Sequence, residues 1–446
     1  MGDLSCDVVV VGLGPGGEAL VARLAKAGLD VVAVEAELVG GECPYWGCIP
    51  SKMIIRAANA LAEARRVDGL AGTATVEPDF AVVARRIREE ATDDWDDQVA
   101  ADRVTAAGAR LVRGRGRLAG ARTVVVGDDT ITASKGVVLN TGTTPSVPPI
   151  PGLADTPYWT NRDILKAETA PTTMIVIGGG AIGLELAQAF ARFGTEVTVL
   201  EVAPRILAVE EPESSELIGT VFEAEGIGVH AGIPIDAVAH DGSVFHVTSG
   251  DVTYEAERLL VAAGRRSRLD DVGLDTVGVE VDRFLTVDDA MQVTDGLWAI
   301  GDITGRGAFT HVSMYQSERA ARAILGEDLE PYDTSFPRVT FTDPEIGGVG
   351  LSEAQARDRG INVRVGLAPI PESSRGWIHA AGNEGLIKIV IDDDRGVIVG
   401  ATSAGPAGGE TLAALAFAVR AEIPVATLRN TIYAYPTFWR AIESAL

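Results

Sequence analysis

The hydrophobic pattern of the chain lays out one unit twice. Residues Cys6 to Val11 form an apolar run that reads as a strand buried in a parallel sheet, and GLGPGG follows at once. A helical stretch, EALVARLAKAG, comes next, and then a second apolar strand, VVAVE, ending in Glu35. The same order returns later, with MIVIGGGAIG, the helical LELAQAFARFG, and a strand VTVLE ending in Glu201. The interval from glycine to acid is 23 positions in both copies, 12 to 35 and 178 to 201.

Gly12, Gly14 and Gly17 fit G-x-G-x-x-G, and so do Gly178, Gly180 and Gly183. Such glycines permit a tight turn and close approach of a pyrophosphate to a helix N-terminus, while an acid ending the second strand accepts ribose hydroxyls. One such motif is weak evidence, but two with matching intervals point to two dinucleotide sites and electron transfer between the dinucleotides. Further apolar strands close in glycine turns at Gly142 and Gly264, and LWAIGD ends in Gly301 and Asp302. The first unit is therefore read as interrupted by the second. From Phe336 onward an α+β pattern without nucleotide glycines begins. The expected fold is α/β: two Rossmann-like dinucleotide-binding domains and a C-terminal α+β dimerisation domain. The expected boundaries are 1–146 and 266–335 for the first, 147–265 for the second and 336–446 for the last.

A length of 446 residues is too great for one core. A net charge of −25 disfavours nucleic acid and anionic lipid, both of which need basic patches. No apolar stretch reaches the roughly 18 residues of a membrane span. The start MGDLSCDVVVVG has no basic segment and runs straight into the strand pattern, so a cytoplasmic location is expected. The turn at Asp392, Asp393 and Asp394 reads as a solvated hairpin.

Three cysteines make no disulfide framework, and a close pair in a reducing compartment is more often catalytic than structural. Cys6 reads as a small buried hydrophobe. Cys43 and Cys48 stand in GGECPYWGCIPSK, ahead of a helical run starting near Cys48 with Pro50 in its first turn. The helix dipole and free N–H groups favour a thiolate at Cys48, and Lys52, one turn on, shares its face.

The segments GLGPGG, GGECPYWGCIPSK, GGGAIGLE, LWAIGD and VTFTDPEIGGVG, in this order along nearly the whole chain, resemble the FAD-dependent pyridine nucleotide–disulfide oxidoreductases. That family includes dihydrolipoamide dehydrogenase, glutathione reductase and mercuric reductase. The resemblance implies FAD on the first unit and a nicotinamide nucleotide on the second; there Glu201 can bond ribose hydroxyls and would repel a 2′-phosphate, so NADH is expected over NADPH, with Arg205 nearby as the residue that weakens this preference. The resemblance also implies that Cys43 is the interchange thiol and Cys48 the charge-transfer thiol, with Lys52 paired to Glu185. It places Asp302 and the His311–Val312 turn at the flavin, His311 through its backbone. A homodimer with a small-molecule electron acceptor is expected, with no resident metal.

The pattern departs from the family at two places. Where a His-Pro-Thr-x-x-Glu signature is usual, this chain has YAYPTFWRAIE, so Tyr435 stands for the histidine and Arg440 for the glutamate, with Glu443 too far along to replace it. A tyrosine, with a pKa of about 10, is a poor general base at neutral pH. Pro44, Tyr45 and Trp46 also replace smaller residues between the cysteines. A tyrosine here is similar to mercuric reductases, yet their extra C-terminal cysteine pair is missing, because the chain ends in ESAL. The acceptor is thus left open among an atypical disulfide, a metal ion and a quinone. A role as a docking flavoprotein subunit of a multienzyme complex is the third alternative.

Overall fold

A computed structural model describes residues 3–446. It divides into two compact units. One comprises residues 3–50, Arg85–Ser146 and Arg265–Tyr332; the other comprises Ser51–Ala84, Val147–Gly264 and Asp333–Leu446.

The first unit is built on a sheet ordered Gln292–Thr294, Leu297–Ala299, Asp129–Leu139, Leu4–Val11, Val31–Glu35 and Arg110–Arg113. The strand Leu4–Val11 pairs in parallel with Val31–Glu35 on one side and Asp129–Leu139 on the other. Its four consecutive valines, Val8 to Val11, are buried on both faces, which explains an apolar run without alternation. Helix Pro15–Lys26 buries Leu20, Val21 and Leu24 against one face of this sheet. Cys6 lies in the opposite core, where burial pushes its thiol up to about 11.

The second unit carries a parallel sheet of Gly228–Ala231, Glu196–Glu201, Thr173–Ile177 and Arg258–Val261, and a three-stranded antiparallel sheet. Its C-terminal part is a five-stranded antiparallel sheet running from Arg338–Thr340 to Val363–Pro369. The hairpin between Leu386–Asp392 and Val397–Gly405 turns through Asp393 to Gly396, where buried Asp392 accepts the N–H groups of Asp394 and Arg395. The stretch 51–84 groups with this unit because Phe80 packs its ring 4.9 Å from Phe190 and 5.1 Å from Phe193. Buried Arg192 joins the parts of this unit, bonding Asn59 at 2.6 Å, Glu225 at 2.5 Å and Asp343 at 2.8 Å. Among the described residues, no helix is long and apolar enough to cross a membrane.

Candidate functional site

The two glycine loops are built alike, down to individual contacts. Gly12 has φ +93°, and a Cβ there would lie 2.3 Å from the Asn140 carbonyl oxygen. Gly178 has φ +115°, and its Cβ would lie 2.4 Å from the Ala262 carbonyl oxygen. In each helix the third glycine abuts the first: a Cβ on Gly17 would meet the Gly12 oxygen, and one on Gly183 the Gly178 oxygen. Only glycine tolerates these positions. The middle glycine is different, since nothing lies within 4 Å of a Gly180 Cβ and only Asn140 Nδ2 approaches one on Gly14, at 3.5 Å. The fold uses the outer glycines for its own packing, and the middle ones keep the helix N-terminus open.

The acids are also placed alike. Glu35 accepts the Leu13 N–H at 2.6 Å on one oxygen and the Glu37 N–H at 2.7 Å on the other. Glu201 accepts the Gly179 N–H at 2.5 Å and the Ala203 N–H at 2.6 Å. Each carboxylate is held rigidly beside its loop and retains lone pairs for a hydroxyl donor. Burial raises the Glu35 pKa, opposed by those N–H groups. Arg205 donates to Ser215 Oγ at 2.6 Å and to the carbonyls of Leu207, Ala208 and Glu210, so its guanidinium is engaged by its own loop.

Half-buried Asp302 follows Gly301, whose φ is +77° and whose N–H reaches Gln316 at 2.7 Å. Burial pushes the Asp302 carboxyl upward, opposed by the Thr143 hydroxyl, which donates to it at 2.8 Å. Thr143 in turn accepts from Arg265 Nε at 2.7 Å, and Arg265 pairs with Glu42 at 3.1 Å. Val312 is buried in the first turn of helix Thr310–Leu325, while the exposed ring of His311 stacks 5.4 Å from Phe309. Gly142 and Gly264 turn the chain with φ of +68° and +104°.

Cys48 opens helix Cys48–Arg66, as its position before Pro50 predicts. Cys43 lies in a helix of its own, Glu42–Trp46, which ends at Gly47. Both thiols are half-buried, and Cys48 Sγ is 3.5 Å from Thr310 Oγ1. Contact with the Cys48 sulfur, then burial, holds the Cys43 thiol well above the ordinary thiol range.

In the second unit, Lys52 Nζ lies 2.7 Å from Glu185 Oε2, and the other oxygen of this buried carboxylate accepts the Phe341 N–H at 2.8 Å. The same ammonium lies 4.6 Å from the centroid of the Phe341 ring. Phe341 was unmarked in the sequence beyond its place in VTFTDPE, and Thr310 and Arg265 carried no signal at all.

Tyr435 is 69% exposed and borders a shallow pocket of about 380 Å³ with Glu372, Ser373, Trp377 and Ile378. Arg440 places its guanidinium carbon 5.6 Å from the Tyr435 ring centroid and pairs with Glu443 at 2.9 Å. No hydrogen bond, ion pair or ring contact joins Tyr435 to Lys52 or Glu185 among the described residues. Those residues also include no group of three or more His, Cys, Asp and Glu side chains that could hold a metal ion.

Comparisons with known proteins bear on this arrangement. The family model for pyridine nucleotide–disulphide oxidoreductases matches residues 6–317, and that for the dimerisation domain of the same enzymes matches 336–446. The chain is 34% identical to a dihydrolipoyl dehydrogenase of Chlorobaculum tepidum, over 98% of this chain and 96% of that protein. It is 32% identical to a mercuric reductase of Shigella flexneri, over 97% of this chain and 79% of that protein. Among solved structures, the HOCl-induced flavoprotein disulfide reductase RclA of Escherichia coli superimposes with a TM-score of 0.86 at 26% identity, covering 98% of this chain and 99% of that one.

Proposed function

Since the chain belongs to the pyridine nucleotide–disulphide oxidoreductases, NAD(P)H-dependent flavin enzymes, we propose that it moves two electrons from NADH, by way of FAD, to the Cys43/Cys48 pair. The observation that carries this reading is the contact of the two thiols at the start of helix Cys48–Arg66, beside Thr310. Hydride plus disulfide yields one thiol and one thiolate, and the pair is built for that unequal product. Cys43 keeps the proton, while Cys48 sits where the helix N-terminus stabilises negative charge.

The residues fit the two dinucleotides. FAD belongs on the first unit, with Gly12, Gly14 and Gly17 at the pyrophosphate, Glu35 at the adenosine ribose, and Gly142, Gly301, Asp302 and Val312 along the rest. Bound there, FAD supplies the relay that accepts a hydride and passes on an electron pair. NADH belongs on the second unit, at Gly178, Gly180, Gly183, Glu201 and Gly264. Glu201 would repel a 2′-phosphate, and Arg205 is already engaged, which favours NADH over NADPH. Lys52 and Glu185 hold opposite charges together within the second unit. The stretch 336–446 serves as the interface of a cytoplasmic homodimer, in keeping with its dimerisation-domain match and its exposed Trp377, Phe417 and Ile432.

The acceptor is a small molecule that needs no histidine relay: a quinone, an atypical disulfide or a metal ion. The exposed Tyr435 under Arg440 is not arranged as a general base. A second reading, reduction of a thiol-bound metal ion, draws on the likeness to a mercuric reductase and to RclA, one structure of which is a Cu(II) complex. In that reading the substrate ion would be held by Cys43 and Cys48. The deciding experiment is anaerobic titration of the holoenzyme with NADH, counting alkylatable thiols. Two new thiols per chain, lost in Cys43→Ser, are expected; none would overturn the reading. Turnover with lipoamide, glutathione disulfide, quinones and Cu(II) or Hg(II) then separates the acceptors.

A further inference from the structure

Trp46 lies between the two cysteines, and its ring stacks on that of Trp95, with centroids 5.7 Å apart and planes 19° apart. Trp95 arrives there by an unusual backbone. Asp93, Asp94 and Trp95 have φ of +47°, +56° and +59°, three consecutive left-handed residues without a glycine. L-residues with a Cβ rarely adopt that conformation, and for a bulky side chain it is an outlier that the surroundings must impose.

The surroundings do so from both ends. Ahead of the turn, Ile87–Ala91 is a π-helix, and the buried Thr92 hydroxyl donates to the Ile87 carbonyl at 3.0 Å and accepts the Trp95 N–H at 3.4 Å. The Asp94 N–H reaches the Arg88 carbonyl at 2.7 Å. Behind the turn, buried Asp97 accepts the Val39 N–H at 2.6 Å and pairs with Arg113 at 2.6 Å. The indole delivered by this turn does two things to the helix that carries Cys43. It covers Trp46, and its Nε1–H donates to the Tyr45 carbonyl at 3.4 Å. A five-residue helix has too few internal bonds to persist alone, and its last carbonyls lack helical partners. Trp95 holds that helix at the joint with Gly47, between Cys43 and Cys48.

We propose that Trp95 is a positioning residue for the Cys43–Cys48 pair, its strained turn existing to brace the Cys43 helix so that the two sulfurs stay in contact when the disulfide opens. This rests on the redox-pair reading above. Loss of the brace makes ring closure less favourable and frees Cys43 from the neighbouring sulfur.

The test uses holoenzyme equilibrated anaerobically with dithiothreitol and its cyclic disulfide, which exchange two electrons and two protons with the cysteine pair. Mass shifts after alkylation give the equilibrium constant, and the pH profile of Cys43 alkylation gives its proton affinity. Trp95→Ala should shift the equilibrium at least tenfold toward dithiol and move the profile to lower pH. Trp95→Leu, which refills the space without a stacked ring or N–H, should do the same and serves if the alanine variant does not fold. Trp95→Phe should restore most of the parent behaviour. Asp94→Gly, which relieves the turn and leaves the indole, should match the parent in both readouts. Parent-like constants and profiles in a folded, FAD-loaded Trp95→Leu variant would overturn the proposal, as would an Asp94→Gly effect equal to that of Trp95→Ala. A parent protein that never closes the Cys43–Cys48 disulfide would overturn the redox-pair reading itself.

Discussion

Arg440 stacks over Tyr435 and at the same time pairs with Glu443, so the positions where a proton relay would be expected hold a cation–π contact and an ion pair instead. General acid–base help is typically worth about 10²–10⁴-fold. Turnover of glutathione disulfide and lipoamide should therefore be slow, while NADH-to-quinone transfer stays fast. Tyr435→His with Arg440→Glu should raise disulfide kcat/KM by about tenfold or more, set below that range to allow for imperfect geometry. Wild-type disulfide turnover equal to quinone turnover would show that no relay is missing.

The unequal thiols predict unequal variants. On two-electron reduction, the Cys48 thiolate should generate a long-wavelength absorbance band. Cys48→Ser should abolish it, whereas Cys43→Ser, which has no disulfide to reduce, should show it before any reductant is added, read by anaerobic absorption spectra. The reverse pattern would exchange the two assignments.

Nucleotide choice follows from Glu201, whose carboxylate is fixed by the Gly179 and Ala203 N–H groups. Its negative charge meets a 2′-phosphate with repulsion, and Arg205 is turned to Ser215 and its own loop. A kcat/KM at least tenfold higher for NADH than NADPH is expected, about 1.4 kcal/mol of discrimination. Preference for NADPH would remove Glu201 as the discriminator.

Stability should depend on pH through Lys388, which is 2% exposed and holds Glu211 at 3.0 Å, Glu213 at 2.7 Å and Glu353 at 3.0 Å. Burial alone would lower its pKa, but the three carboxylates overcome this and push it up to about 12. Its contribution is complete below its ordinary pKa of 10.5 and is lost as pH rises through 12. Lys388, then Arg357, holds Glu353 below its ordinary 4.5, so that contribution is present above 4.5 and is lost as pH falls below it. Lys388→Met leaves three carboxylates together and should cost about 3–5 kcal/mol at neutral pH. It should also weaken the acid dependence of Tm, measured by thermal scans from pH 3 to 8. An unchanged acid limb would remove the cluster as its source.

What the sequence by itself determined was local. Gly12 and Gly178 mark a backbone that no side chain can follow, because a Cβ would strike the Asn140 or Ala262 carbonyl, so strand, turn and helix are readable wherever that glycine follows an apolar run. Cys48 before Pro50 marks a helix start for the same reason, since the signal lies within one turn. Tertiary structure alone decided the rest. The Cys43 helix is too short to leave a propensity signal and exists in contact with Trp95, which lies far along the chain. Glu185 finds its second partner in the backbone of Phe341, a group every residue possesses, so no side chain could announce it. Arg205 has the composition of a phosphate ligand, and only its bonds to Ser215 and three carbonyls show it engaged elsewhere. Sequence spacing carries bonds closed within a turn or a βαβ unit, whereas a partner supplied by the fold depends on where distant segments come to lie.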